Sequence, residues 1–235
     1  MVKRKFISFK SKRRLEIDVD DRVYFLHIGK NAGTEIKRYL AQANVEAAEK
    51  VFYPMGHEKR LKAIPARSQY FFSIRDPASR FASAFYSRKR KGRPRHFGEW
   101  TADEELAFLR FEHANDLAES LFAEGREGVD AFSAMKSITH ISRNQVDTFS
   151  LSGYFLEARP PVAIIRTSHL ERDMRVMLEG LGFPEVEPPA PDFVASHRND
   201  YTGTPSLSPR SLDHLRTWFA QDYEFVRACE DWIQR

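Results

Sequence analysis

Two short apolar runs, VYFLHI (residues 23–28) and QYFFSI (residues 69–74), constrain the fold of this chain most, because neither alternates with polar residues. A strand with one wet face alternates; a strand apolar throughout is covered on both faces, as in a parallel sheet packed between helices. Each run leads into a segment of helical spacing, about residues 34–48 after the first and about residues 78–91 after the second. Between them Val51–Tyr53 reads as a strand followed by a helix from about Glu58, and Val162–Ile165 reads as a fourth strand behind Pro160 and Pro161. Leu170, Met174, Met177, Leu178 and Leu181 then fall on one helical stripe, which reads as core. Strands alternating with helices imply an α/β fold with a central parallel β-sheet flanked by helices.

The remaining segments add helices. Residues 100–150 read as helical around an irregular stretch at Gly125–Asp130, and a final helix from Ser208 or Pro209 to Gln234 carries Leu212, Leu215, Phe219, Tyr223 and Val226 on one stripe. Residues 182–209 contain six prolines, which forbid regular helix and suggest a surface excursion. A length of 235 residues with 42% apolar side chains suits a single domain, residues 22–235, behind a basic N-terminal segment, residues 1–21. No run approaches the roughly 20 apolar residues of a membrane span, and the basic N-terminus lacks a following apolar stretch, so neither a membrane anchor nor a secretory signal is expected. The single cysteine, Cys229, excludes an internal disulfide and a cysteine metal cluster, which points to a reducing, cytoplasmic setting.

Charge is uneven. Residues 1–14 hold seven Lys or Arg and no acid, so against a whole-chain charge of +4 the remainder nets three negative charges. The tail reads either as a solvated terminus or as an arm for a polyanion. A second cluster, SRKRKGRPR, sets six basic residues in positions 88–95 and reads equally as a cationic helix C-terminus or as a surface attractive to an acidic acceptor.

The segment Gly29-Lys30-Asn31-Ala32-Gly33-Thr34 sits between the first apolar strand and an amphipathic helix. Small residues there let backbone N–H groups approach a phosphate, the helix N-terminus adds donors and partial positive charge, Lys30 adds a full charge and Thr34 a hydroxyl. The plain alternative is a strand-to-helix turn capped by Asn31 or Thr34. A nucleoside triphosphatase loop would need G-x-x-x-x-G-K followed by Ser or Thr; Tyr24 and Asn31 stand in those places, which disfavours a magnesium triphosphate. The later strand ends at Arg75, with Ser83 eight residues on in the next helix. Strand carboxyl ends share one edge of a parallel sheet, so Arg75 and Ser83 can face the same ligand as Lys30, unless Arg75 pairs with Asp76 and Ser83 lies on the helix surface.

Together GKNAGTE (29–35) and RDPASRFASAFY (75–86) resemble the two donor motifs of the sulfotransferases that use 3′-phosphoadenosine 5′-phosphosulfate (PAPS), especially the carbohydrate (heparan/chondroitin-type) branch. The second motif matches at every fixed position. The first keeps a lysine, a glycine and the threonine and departs at Gly29, Asn31, Ala32 and Glu35, the last standing where the family has a serine. VAIIRTSHLERD and HRNDYTG are similar to the family's later segments. The resemblance implies a three-layer, P-loop-like fold, PAPS as donor with no metal required, and donor contacts from Lys30, Asn31, Ala32, Gly33, Thr34, Arg75, Ser83 and, in a lid, Arg198.

A base must take the acceptor's hydroxyl proton. His57, in YPMGHEKRL after the second strand, stands at the same sheet edge and titrates in a suitable range, and in the resembling enzymes a His or Glu between the donor motifs has this part; Glu58 is the reserve. Lys30 and His57 are thus the expected catalytic pair. His27 reads as a hydrogen-bonded core histidine, while His140, with Arg143, Asn144 and Gln145, suits either an acceptor groove or helix packing and capping. The expected acceptor is a hydroxyl-bearing glycan or glycolipid, without specific nucleic-acid binding; a kinase-like P-loop protein and a non-catalytic nucleotide- or polyanion-binding module are the alternatives.

Overall fold

A computed structural model of the chain describes residues 21–46, 50–94, 96–149, 154–189 and 203–235. Four parallel strands form one sheet in the order β2-β1-β3-β4: β1 Arg22–Leu26, β2 Val51–Pro54, β3 Gln69–Ile74 and β4 Ala163–Arg166. Phe25 pairs with Pro54 on one side and Phe71 on the other, and Phe72 with Ile164. The helices are α1 Gly33–Glu46, α2 Pro77–Lys89, α3 Ala102–Arg110, α4 Ala114–Glu119, α5 Gly125–Ser137, α6 Phe155–Ala158, α7 Leu170–Gly180, α8 Pro209–Trp218 and α9 Ala220–Ile233. The α/β class with a central parallel sheet is as the apolar runs require.

Alternation along the strands sorts the core. Val23 and Phe25 of β1, with Phe71 and Ile165, face α1 and α7 and pack on Ile36, Leu40, Met174 and Met177. Tyr24 and Leu26, with Tyr70, Phe72 and Ile164, face the opposite side and pack on Phe149, Phe155, Phe225 and Cys229. A third cluster beyond the sheet joins α2, α3, α4, α5 and α8 around Phe81, Phe85, Phe108 and Met135. Both faces of β1 and β3 are therefore dry, while the edge strand β2 leaves Tyr53 exposed.

Three expectations fail. The helix from Glu58 is only a 3-10 turn, Leu61–Ala63, because Gly56 and Pro65 leave little room and the Arg159 guanidinium takes the carbonyls of Leu61, Ile64 and Pro65 that a helix would use internally. Gly125–Asp130 is the first part of α5 and not irregular: Gly125 enters at φ 67, and Glu127 accepts a bond from Ser120. The last helix is two helices, separated at Phe219, whose stripe divides; Leu215 and Phe219 go to the helical cluster, Val226 to the sheet cluster. Most of the basic N-terminal segment and residues 190–202 of the proline-rich stretch, including Arg198, lie outside the described residues. Among the described residues no helix is long and apolar enough to cross a membrane.

Candidate functional site

All four strands send their carboxyl ends toward one cleft of about 1570 Å³. Lys30, Ala32, Gly33 and Thr34 line it after β1, His57 after β2, Arg75 and Ser83 after β3, and Arg166 at the end of β4. The structure thus brings the predicted donor residues and His57 to one cavity; of those described, only Asn31 is absent from its wall. Glu58, the reserve base, is not part of that wall and is fully exposed beside Lys59.

The loop between β1 and α1 is held from behind. Arg80 Nε donates to the Gly29 carbonyl at 3.0 Å, Arg75 Nη1 to the Lys30 carbonyl at 3.1 Å, and Ser73 Oγ to the Asn31 carbonyl at 2.7 Å. In a trans peptide the N–H points opposite its carbonyl, so three consecutive anchored carbonyls turn the N–H groups of Lys30, Asn31 and Ala32 to the other side. Asn31 N–H returns to Ile28 at 3.4 Å, and those of Lys30 and Ala32 have no partner among the described residues. Lys30 and Ala32 take left-handed φ values of 69° and 55°, a nest-forming conformation that costs non-glycine residues about 1–2 kcal/mol each and persists here because the anchors impose it. The first turn of α1 follows at once, adding its own unbonded N–H groups.

Asn31 has a different part from the one the motif suggests. Its buried Nδ2 donates to the Ser73 carbonyl at 2.7 Å and to Gln145 Oε1 at 2.6 Å, so its side chain fastens the loop to β3 and faces away from a ligand. Gln145 also joins both Arg75 backbone groups, and its own N–H and that of Val146 are accepted by the buried Asp222 carboxylate. Ser73, Arg80 and Asp222 are site residues that sequence reasoning missed, and Gln145, a candidate for an acceptor groove beside His140, is instead a buried anchor of the loop. Arg80 offered a signal, as the second fixed arginine of RDPASR; the others pair across long separations with no local pattern.

Electrostatics in the loop is one-sided. Burial first, then the nearby guanidinium groups of Arg75, Arg90 and Arg80, lower the Lys30 ammonium to about 8. Arg80, almost fully buried, is lowered to about 10 chiefly by burial, against the pull of Asp222. Glu35, the departure in the first turn of α1, is paired with Arg38 at 3.0 Å. Ser83 is buried at the cleft wall, and Arg75 Nε also donates to Ser79.

Three histidines complete the floor. His27 is buried, as expected of a core residue, but its Nδ1 has no hydrogen-bond partner among the described residues. Burial, followed by His57, Lys37 and His140, pushes it down to about 2. Burial and His57 likewise lower His140 to about 3. His57 has an edge open to the cleft while its underside is covered; that partial burial, with Lys37 and Lys30, lowers it despite Glu58. All three are neutral at pH 7. Among the described residues no group of three or more His, Cys, Asp or Glu side chains is arranged to hold a metal ion.

The basic cluster at the cleft rim is not a bare cationic surface. Glu104, wholly buried, accepts from Arg88 Nε at 2.8 Å and from the Thr139 and Thr101 N–H groups, and these bonds outweigh burial to hold it at about 2. Lys91 meets Glu99 and lies 4.7 Å over Trp100, and Arg93 stacks 4.8 Å from the exposed Phe97 ring.

The fold and cleft define an α/β protein with a lysine-bearing loop between β1 and α1 at the carboxyl edge of its parallel sheet. No protein-family model matches the chain, and neither does any curated protein or solved structure.

Proposed function

We propose that the chain is a PAPS-dependent sulfotransferase acting on a hydroxyl acceptor, with a glycan or glycolipid as the acceptor class its motifs resemble. The observation that carries this reading is the loop at residues 29–34: the carbonyls of Gly29, Lys30 and Asn31 are held by Arg80, Arg75 and Ser73, the N–H groups of Lys30 and Ala32 are left without a partner among the described residues, and the charged neighbours that shift Lys30 are cations. Such a site takes a multiply charged anion. A phosphosulfate end in the loop and a second phosphate toward Arg75 and Ser83 use both anion positions of the one cavity. Glycine at 29 and 33 fits this use, because a Cβ at either position would strike a histidine ring that forms the loop's floor.

In this reading Lys30 and the loop N–H groups stabilise charge gathering on the bridging oxygen and 5′-phosphate, and Thr34 donates to that phosphate. The neutral His57 ring takes the acceptor's hydroxyl proton while the acceptor oxygen bonds to sulfur and the bridging S–O bond breaks, its electron pair leaving with adenosine 3′,5′-bisphosphate. His57 then returns its proton to water. The buried, lone Cys229 supports a reducing, cytoplasmic setting.

Incubation with radiolabelled PAPS and a panel of glycans, glycolipids and small alcohols tests the reading, with His57→Ala as the control. Label should pass to at least one hydroxyl class with the native chain, and the variant should lose transfer by about 10²–10⁴-fold while binding adenosine 3′,5′-bisphosphate nearly unchanged. Full transfer by His57→Ala removes His57 as the base; no transfer to any acceptor by the native chain counts against the enzyme.

A further inference from the structure

The three histidine rings form a continuous run of contacts assembled from distant segments. His27 follows β1, His57 lies in the loop after β2 and His140 in the turn after α5. The His57 ring lies 3.8 Å from His27, centroid to centroid, and meets His140 edge-on at 5.5 Å. Both flanking rings are pinned. His27 stacks on Phe25 at 5.2 Å and lies so close under Gly33 that a Cβ there would fall 1.6 Å from its Nε2. His140 sits against Gly29, where a Cβ would come 2.5 Å from its Nδ1, and its backbone holds φ 71, a conformation uncommon for residues with a Cβ.

The two glycines that those rings press on are the two that frame the anion loop. The floor that carries His57 and the cradle for the anion are therefore one construction, and a shift in either ring moves both. We infer that His27 and His140 are positioning residues that hold the His57 ring in register with the anion loop, an inference that rests on the sulfuryl-transfer reading for its chemistry.

The same contacts confine proton exchange to one ring. The groups facing His57 are His27, Lys30 of the loop, Lys37 of α1, His140 after α5 and Glu58 of its own loop, and the one acid among them is fully exposed. A proton on either flanking ring would set a cation among cations, out of water. His27 and His140 stay neutral across the working range, and His57, with its edge in the cleft, takes the proton.

Histidine-selective NMR titration of the full chain reads this without turnover. Native His57 should titrate below its ordinary value, with through-space contacts between the His27 and His57 ring protons. His140→Asn, a residue that tolerates positive φ, should move the His57 titration up by about half a pH unit or more, because a covering ring is lost. In turnover the acid limb of the kcat/KM profile should move up with it, and kcat should fall about tenfold with adenosine 3′,5′-bisphosphate affinity within about threefold. His27→Phe, which keeps a ring under His57, should leave the titration near the native value. An unmoved His57 titration and kcat in His140→Asn overturn the inference, as does the absence of His27–His57 contacts in the native chain should that variant not fold. Native turnover with an unmoved titration sinks the positioning alone; a moved titration with no sulfuryl transfer by the native chain sinks the chemistry and leaves the ring contacts.

Discussion

Two ends of the same cleft treat positive charge in opposite ways. After β1 and β3, Lys30, Arg75 and Arg80 crowd together: Arg75 donates to the Lys30 carbonyl and to Ser79, Arg80 donates to the Gly29 and Arg143 carbonyls, and Asp222 favours the charged form of Arg80. After β4, Arg166 is saturated: its Nε and Nη2 donate to Asp173 at 2.9 and 2.6 Å, and its N–H donates to the same carboxylate. Burial alone would raise the Asp173 carboxyl, but those bonds hold it below the usual carboxylate range. Glu230 also lines the cleft and favours the charged form of Arg166. An arginine at a strand end is thus no sign of an anion site by itself. What sets the β1 end apart is a lysine whose ammonium is lowered to about 8 by burial and by the nearby guanidinium groups of Arg75, Arg90 and Arg80.

Removing charge from the β1 end should have the largest effect. Lys30→Ala is expected to cut sulfuryl transfer by about 10²–10³-fold and to weaken adenosine 3′,5′-bisphosphate binding by about 1.5–3 kcal/mol, read by steady-state kinetics and calorimetry. Native turnover in that variant would make the β1 end no different from the β4 end. A smaller effect sharpens the contrast through pH. The Lys30 ammonium, lowered to about 8, carries the charge that attracts the anion below that value and loses it above. Affinity for the bisphosphate should therefore fall about tenfold from pH 7 to 9.5, with proton uptake on binding near pH 8. A flat profile would contradict the lowered ammonium. The smallest expected effect on binding comes from the compensated end: Arg166→Ala should lower stability by about 1–3 kcal/mol in denaturant melts, because Asp173 loses its partner, and leave bisphosphate affinity within about twofold.

The difference between the two ends also separates what the sequence displays from what it conceals. Lys30, Gly33, Thr34, Arg75 and Ser83 were legible because each lies in a short pattern whose neighbours fix its place: a dry strand, small residues, a helix start. The parallel sheet was legible for the same reason, since VYFLHI and QYFFSI carry their own burial. The anchors were not. Asn31 meets Gln145 across 114 residues and Asp222 meets Gln145 across 77, and no local spacing encodes such a pairing. The absent helix after Glu58 and the break at Phe219 have the same origin: Arg159 claims carbonyls from a distant segment, and two separate cores divide one apolar stripe. His27 was legible as buried but not as the ring on which Gly33 rests.

The central claim is that one cavity grips both ends of a doubly phosphorylated adenosine without needing a metal-bound triphosphate. Calorimetric titration of the full chain with adenosine 3′,5′-bisphosphate and with ATP, each with and without magnesium, tests it most directly. The account predicts that the bisphosphate binds in the absence of magnesium and more tightly than ATP; equal affinity for ATP, or binding that requires magnesium, would contradict it.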